Sequence, residues 1–279
     1  MQTCLLKINN LLEKHNLDAL LISSVPNITY LTGYSGFSSH EREAYVLITK
    51  TKRYIFTDGR YSEAVVKQVP HFILKEISTQ SPFISLLQTL IKKHALKNIG
   101  FEEDDLSVLE YNKLRKIHKS LKPFTLSTLR IHKSSNEIVA IKNACAIGDK
   151  AFAHIVKQAT LGITEKQLAI ELELWIKHFG ADISFPSIVA FGANAAIPHH
   201  QTSDQRLTTN SFVLLDFGVK LDNYCSDMTR TIFFGKPSEK QKKIYETVRI
   251  AQQNAIQLIT YNLGLITSNK TSLKASEVD

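Results

Sequence analysis

The chain has 279 residues, 43% of them hydrophobic, and a net charge of +8, which is length for two ordinary domains and apolar content for a real core. No stretch is apolar for long enough to span a bilayer, the N-terminus lacks a charged start followed by an unbroken apolar run, and Cys4, Cys145 and Cys225 are too few and too scattered for a disulfide framework. The reading is a soluble cytoplasmic protein without a membrane partner, and because its Lys and Arg residues are interleaved with acids and accompany no aromatic-rich basic stripe, nucleic acid is set aside as well.

Leu5, Ile8, Leu11 and Leu12 recur at helical spacing, and Asp18 introduces a strand-like run from Ala19 to Ile22. The segment EAYVLITKTKRYIFTDGRYSEAV reads as two strands about a turn at Lys50 to Lys52, then Asp58-Gly59 and a helix through Ala64, Val65 and Val66. A strand near Phe72 to Glu76, a helix from Ser81 to His94, a short strand from Asn98 to Phe101 and a helix from Leu106 to His118 continue the alternation. Such a pattern predicts a mixed α/β sheet covered by helices. Pro123 and clustered Ser and Lys between Ser120 and Ser135 break the rhythm and place a domain boundary there.

Beyond it, Ser134 and Glu137 have capping-box spacing, and Ile138, Ile141, Cys145, Gly148, Phe152 and Ile155 predict the buried stripe of a long helix. Thr164 and Gln167 repeat the capping signature, and Leu168, Leu172, Trp175, Ile176 and Phe179 predict the apolar face of a second helix ending at Gly180.

The segment SFVLLDFGVKLDNYCSDMTRTIFFG then reads as a β-hairpin that carries Asp216 and Asp227. Placing these two opposite each other centres the turn between Leu221 and Asp222, and directly opposed carboxylates, with Cβ atoms about 5 Å apart, are spaced to share a metal ion. Asp216 stands among Val213, Leu214, Leu215 and Phe217, where an unpaired carboxylate would cost several kcal/mol. A divalent cation, a salt bridge to Arg230 and a hydrogen-bonded structural acid all answer that demand. Thr229, two residues after Asp227, shares its strand face, although a β-branched residue favours strands without any further role.

These residues resemble the Xaa-Pro aminopeptidase and prolidase family of metallopeptidases, whose catalytic domain has the pita-bread fold. In the second domain FPSIVAFGANAAIPHH, LLDFG and SDMTRT are similar to the family's histidine segment and its two metal-aspartate segments. In the first, NITYLTGYSGF and YIFTDGRYSEAV are similar to segments of the creatinase-like N-terminal domain. The resemblance implies a creatinase-like α/β domain over residues 1–126, followed over 134–279 by the first half of a pita-bread α+β domain. It implies two divalent ions, manganese ahead of cobalt or zinc, with Asp216 and Asp227 as metal ligands, Thr229 supporting the metal shell, and His199, in preference to the adjacent His200, binding substrate as the catalytic residue. Phe185, Phe191 and Tyr224 would wall the pocket. The implied reaction is metal-assisted hydrolysis of the bond between an N-terminal residue and proline, the partner being a peptide with proline at the second position, and family analogy alone suggests a homodimer.

The family's site needs a further histidine and two glutamates. No histidine follows Asp227, and Glu239, Glu246 and Glu277 lie in polar helical or tail sequence. The tail ASEVD resembles the start of the family's next helix, so the expectation is a chain truncated within the catalytic domain: a fragment, an interrupted gene product, or a shortened protein put to another use. Such a chain would not hold its ions stably and would be inactive alone. A non-catalytic pita-bread module binding peptides or proteins is the alternative.

Overall fold

A computed structural model describes residues 2–268, and the chain divides into two compact units between Ser134 and Ser135. The first unit contains α1 (Gln2–Lys14), β1 (Ala19–Ile22), α2 (Val25–Thr32), β2 (Ala44–Thr49), β3 (Arg53–Asp58), α3 (Ser62–Gln68), β4 (Ile73–Ile77), α4 (Phe83–Lys93), β5 (Ile99–Glu102), α5 (Val108–Ile117) and β6 (Leu121–Phe124). Its strands form one mixed sheet in the order β4-β3-β2-β1-β5-β6.

Successive side chains of a strand point to opposite faces, and here both faces are buried. Leu20, Ile22, Val46 and Ile48 meet Ile8, Leu12, Ile28 and Val65 of α1, α2 and α3 on one side. Ala19, Leu21, Leu47 and Phe56 meet Leu87, Leu90, Ile91 and Leu114 of α4 and α5 on the other. The continuous apolar runs of β1 and β2 follow from this double burial. Two expectations need correction. The short helix α2 was unforeseen, although Pro26 in its first turn and Gly33 at its end, with φ +77, are ordinary start and stop signals. The break expected from Ser120 onward begins too early, because β6 pairs in parallel with β5 and completes the sheet.

The second unit opens with α6 (Ser135–Gln158) and α7 (Glu165–His178), followed by β7 (Asp182–Ile183), β8 (Ile188–Phe191), β9 (Ser211–Phe217), β10 (Val219–Leu221), β11 (Tyr224–Cys225), β12 (Met228–Phe234) and α8 (Glu239–Ser268). Two three-stranded sheets result, ordered β11-β10-β7 and β12-β9-β8. Their core joins Val213, Leu215 and Phe217 of β9 to Ile155 of α6 and Leu168, Leu172 and Ile176 of α7.

The buried stripe of α6 is Ala144, Gly148, Ala151 and Ile155, whereas Ile138 and Cys145, expected in it, are exposed. Small residues win because α6 lies against β10 and β11, and a Cβ on Gly148 would already touch the Ser226 hydroxyl at 3.5 Å. Helix α7 begins with the predicted capping box at Thr164 and Gln167, but Phe179 is exposed. Along α8 the apolar Ile244, Val248, Ile256 and Ile259 are exposed, and the helix runs on to Ser268. Glu277 and the ASEVD tail lie outside the described residues. No helix among the described residues is long and apolar enough to cross a membrane.

Candidate active site

Strand β9 is central in its sheet and alternates strictly: Ser211, Val213, Leu215 and Phe217 are buried, while Phe212, Leu214 and Asp216 on the opposite face are half-buried. Asp216 is flanked by Ile188 of β8 and Thr229 of β12. The sequence had placed Asp227 in that last position. The hairpin register is shifted because the turn is Asp222-Asn223, with φ values of +50 and +68, one residue further along than expected. A two-residue hairpin turn of this hand needs two left-handed residues, which Asp and Asn supply and Leu221 does not. Asp227 therefore falls in the irregular step between β11 and β12, where it is exposed.

That step is held tightly. The Ser226 amide donates to the Val219 carbonyl at 2.8 Å, the Val219 amide donates to the Ser226 hydroxyl at 3.0 Å, and the Ser184 hydroxyl donates to the Ser226 carbonyl at 3.0 Å. Gly218 sits in the middle. A Cβ there would stand 2.0 Å from the Ser184 hydroxyl and 2.1 Å from the Ser226 carbonyl, so the position admits only glycine.

Despite the altered register, Asp216, Asp227, Thr229 and His199 come together. Burial and then the Asp227 charge push the Asp216 carboxyl above its usual range, and a hydrogen bond from the Thr229 side chain and the positive form of His199 oppose the rise only in part. Arg230 is no counter-ion: its guanidinium donates to the Thr229 carbonyl at 2.9 Å and the side chain is exposed. Two carboxylates with one hydroxyl donor between them suit a hard divalent cation, which would remove their repulsion. They do not make a complete centre, because an ion takes four to six donors and no group of three or more His, Cys, Asp or Glu able to hold a metal occurs among the described residues.

His199 reaches this place from the loop after β8. The loop starts with a 3-10 turn at Gly192–Ala196, and His199 itself is exposed with a left-handed φ of +53. The loop is organised by a residue that sequence reasoning passed over. Glu165, the first residue of α7, is fully buried. Its carboxylate accepts the Phe191 amide (2.8 Å), the Asn194 side-chain amide (2.9 Å), the His200 Nε2–H (2.9 Å), and both the amide (2.9 Å) and the hydroxyl (2.7 Å) of Ser203. Burial alone would raise this carboxyl, yet the hydrogen bonds from Ser203, Asn194, His200 and Phe191 lower it to about 2. An acid in the first turn after a capping threonine is common, so only its distant partners distinguish it. His200 is thereby engaged, and His199 is the histidine left facing Asp216. Of the expected pocket walls, Phe191 is a core residue at 2% exposure, Phe185 is half-buried, and Tyr224 bonds Glu137 through its hydroxyl at 3.3 Å.

Comparison with known proteins gives two matches to family models: the creatinase/prolidase N-terminal domain over residues 5–132 and metallopeptidase family M24 over residues 139–266. The chain is 36% identical over 254 residues to the uncharacterised peptidase YqhT of Bacillus subtilis, covering 88% of this chain and 69% of that relative. It is 31% identical over 281 residues to the Xaa-Pro dipeptidase of Pyrococcus horikoshii, covering 98% of this chain and 73% of the relative. Among solved structures, the Xaa-Pro dipeptidase from Bacillus anthracis superposes with a TM-score of 0.83 at 31% identity, over 90% of this chain and 70% of that one. The prolidase from Pyrococcus horikoshii gives 0.79 at 31% identity, over 91% and 71%.

Proposed function

Because the chain belongs to metallopeptidase family M24 and carries a creatinase/prolidase N-terminal domain, we propose that it serves hydrolysis of the peptide bond that precedes proline, in peptides with proline at the second position. The observation that carries this reading is the convergence of Asp216 and Thr229, paired across β9 and β12, with Asp227 and His199 from the adjoining step and loop. In this reading residues 1–126 form the N-terminal domain and residues 134–279 carry the catalytic residues, and the activity belongs to the cytoplasm.

Asp216 and Asp227 are the carboxylates that this chain offers to divalent ions, manganese ahead of cobalt or zinc. Thr229 orients Asp216 through its hydroxyl and opposes part of the rise of its carboxyl. His199, which is exposed, binds the peptide carbonyl as a hydrogen-bond donor and steadies charge that develops on its oxygen. Divalent ions, when bound, supply Lewis-acid activation of that carbonyl and of water. With two carboxylates, the described residues bind such an ion weakly, on the order of 10⁻⁴ to 10⁻³ M as at sites with few charged ligands, and the purified chain is expected to hydrolyse peptides poorly.

Calorimetric titration with manganese tests the assignment: weak binding that disappears in both Asp216→Asn and Asp227→Asn supports it, and binding indifferent to both overturns it. The lack of a third metal-ligating group among the described residues favours one other reading, a non-catalytic peptide-binding module. Binding of an Xaa-Pro peptide with unchanged affinity in the two Asn variants and in metal chelator would establish that reading instead.

A further inference from the structure

Two histidines stand side by side at positions 199 and 200, and the structure gives them different surroundings. His200 has a side chain 11% exposed and donates from Nε2 to Glu165 at 2.9 Å. His199 is exposed and is the histidine whose charge bears on the Asp216 carboxyl. What separates them is one carboxylate that collects five donors from four residues spread between Phe191 and Ser203.

Those residues bracket the whole loop. Phe191 ends β8, Asn194 lies in the 3-10 turn, His200 follows Pro198, and Ser203 also receives the Lys166 amide on its carbonyl at 3.1 Å. The backbone of Glu165 makes a second tie, donating to the Gln205 carbonyl at 3.0 Å. A buried carboxylate accepts such a set of N–H and O–H groups at once, whereas a glutamine amide would turn its own N–H₂ toward donors. The loop is thus wound around a single anion, with His199 between the anchored Asn194 and His200. We propose that Glu165 is the positioning residue of this site: by holding Phe191, Asn194, His200 and Ser203 it selects which of the two histidines addresses Asp216. The proposal rests on the role given to His199 above, and Glu165 itself touches neither metal nor peptide.

The test is nuclear magnetic resonance on the full chain with labelled backbone nitrogens and histidine rings. In the parent protein, Asp216→Asn is expected to move the ring signals of His199 and to leave those of His200 in place. Glu165→Gln should erase the His199 response and accelerate exchange of the Phe191 and Ser203 amides by about 100-fold, since each lost bond to a charged acceptor is worth roughly ten-fold or more. Amides of Leu215 and Val213 in β9 should keep their protection. Asn194→Ala and Ser203→Ala, which each remove part of the donor set, should give intermediate acceleration of about ten-fold and stand in for Glu165→Gln if that variant does not fold. A His199 response that survives Glu165→Gln, or loop exchange within two-fold of the parent in all three variants, overturns the proposal. So does an equal loss of protection in β9 and the loop, which is what a general structural acid would produce. These readouts need neither metal nor peptide, so manganese binding indifferent to Asp216→Asn and Asp227→Asn would sink the functional reading and leave this result standing.

Discussion

Three acids illustrate how environment decides charge. Glu165 is completely enclosed and yet ionises more easily than a carboxylate in water, because five donors surround it. Glu102 in the first unit, 1% exposed, accepts from the Ser23 and Ser24 amides and from the Asn27 side chain; burial outweighs these three donors and its carboxyl is raised. Asp216 is only half-buried, yet burial and the Asp227 charge outweigh the Thr229 donor and it too is raised. Burial sets the demand and the donor count answers it. A carboxylate that is fully answered organises structure, and one left wanting is available to a cation.

The contrast between Glu165 and Asp216 is broken or sharpened by substitution. The largest effect is expected for Glu165→Gln, which should cost about 3 kcal/mol at neutral pH because inward-facing donors lose their anion. Since the folded carboxyl sits near 2 against an ordinary value of 4.5, its contribution is complete above about 4.5 and is lost as pH falls toward 2. Urea unfolding across that window should show a slope in the parent that is flattened in the variant, and an unchanged slope would refute the account. Gly218→Ala should come next, at about 2 kcal/mol, because the new methyl group collides with Ser184 and the Ser226 backbone; thermal melts that match the parent within one degree would show that the step relaxes freely.

For Asp216→Asn the sign reverses. Its folded carboxyl is raised above the ordinary value of 3.8, so its favourable contribution is present below that value and is lost as pH rises through the folded one. At pH 7 the amide should stabilise the metal-free chain by about 1 kcal/mol, and destabilisation in the same assay would mean that the carboxylate is already answered by a partner. Thr229→Val is the smallest perturbation, roughly 0.5 kcal/mol, and should raise the Asp216 carboxyl further, readable from the carboxyl carbon resonance; no movement would remove Thr229 from the site.

Much of this was legible in local pattern. The runs AYVLIT and YIFTD announce β2 and β3, and Thr164 with Gln167 announces α7, because each signal spans a few adjacent residues. That Asp216, Asp227 and Thr229 lie near one another on the hairpin was legible too, since all three fall within one short stretch of sequence. Their pairing was not, because it depends on which two residues take left-handed angles at the turn, and the choice fell on Asp222-Asn223. The apolar face of α6 was misjudged since interhelical and helix-sheet spacing, invisible in periodicity, selected Ala144 and Gly148 over Ile138. Glu165 was least legible. It contacts residues 26 to 38 positions away, and no local motif encodes an anion awaiting donors from a later loop.

The left-handed backbone of His199 (φ +53) restricts the amino-acid alphabet of that position twice over. Glycine, asparagine, aspartate and histidine tolerate such angles, while β-branched residues do not. A valine scan would confound conformational strain with lost chemistry. Asparagine isolates the chemistry, since it keeps the curl of the chain and removes the imidazole, and glycine measures the curl without any side chain. Position 199 is thus a syllable in which only a few letters can be pronounced, of which histidine is the one that titrates near neutral pH as a free side chain.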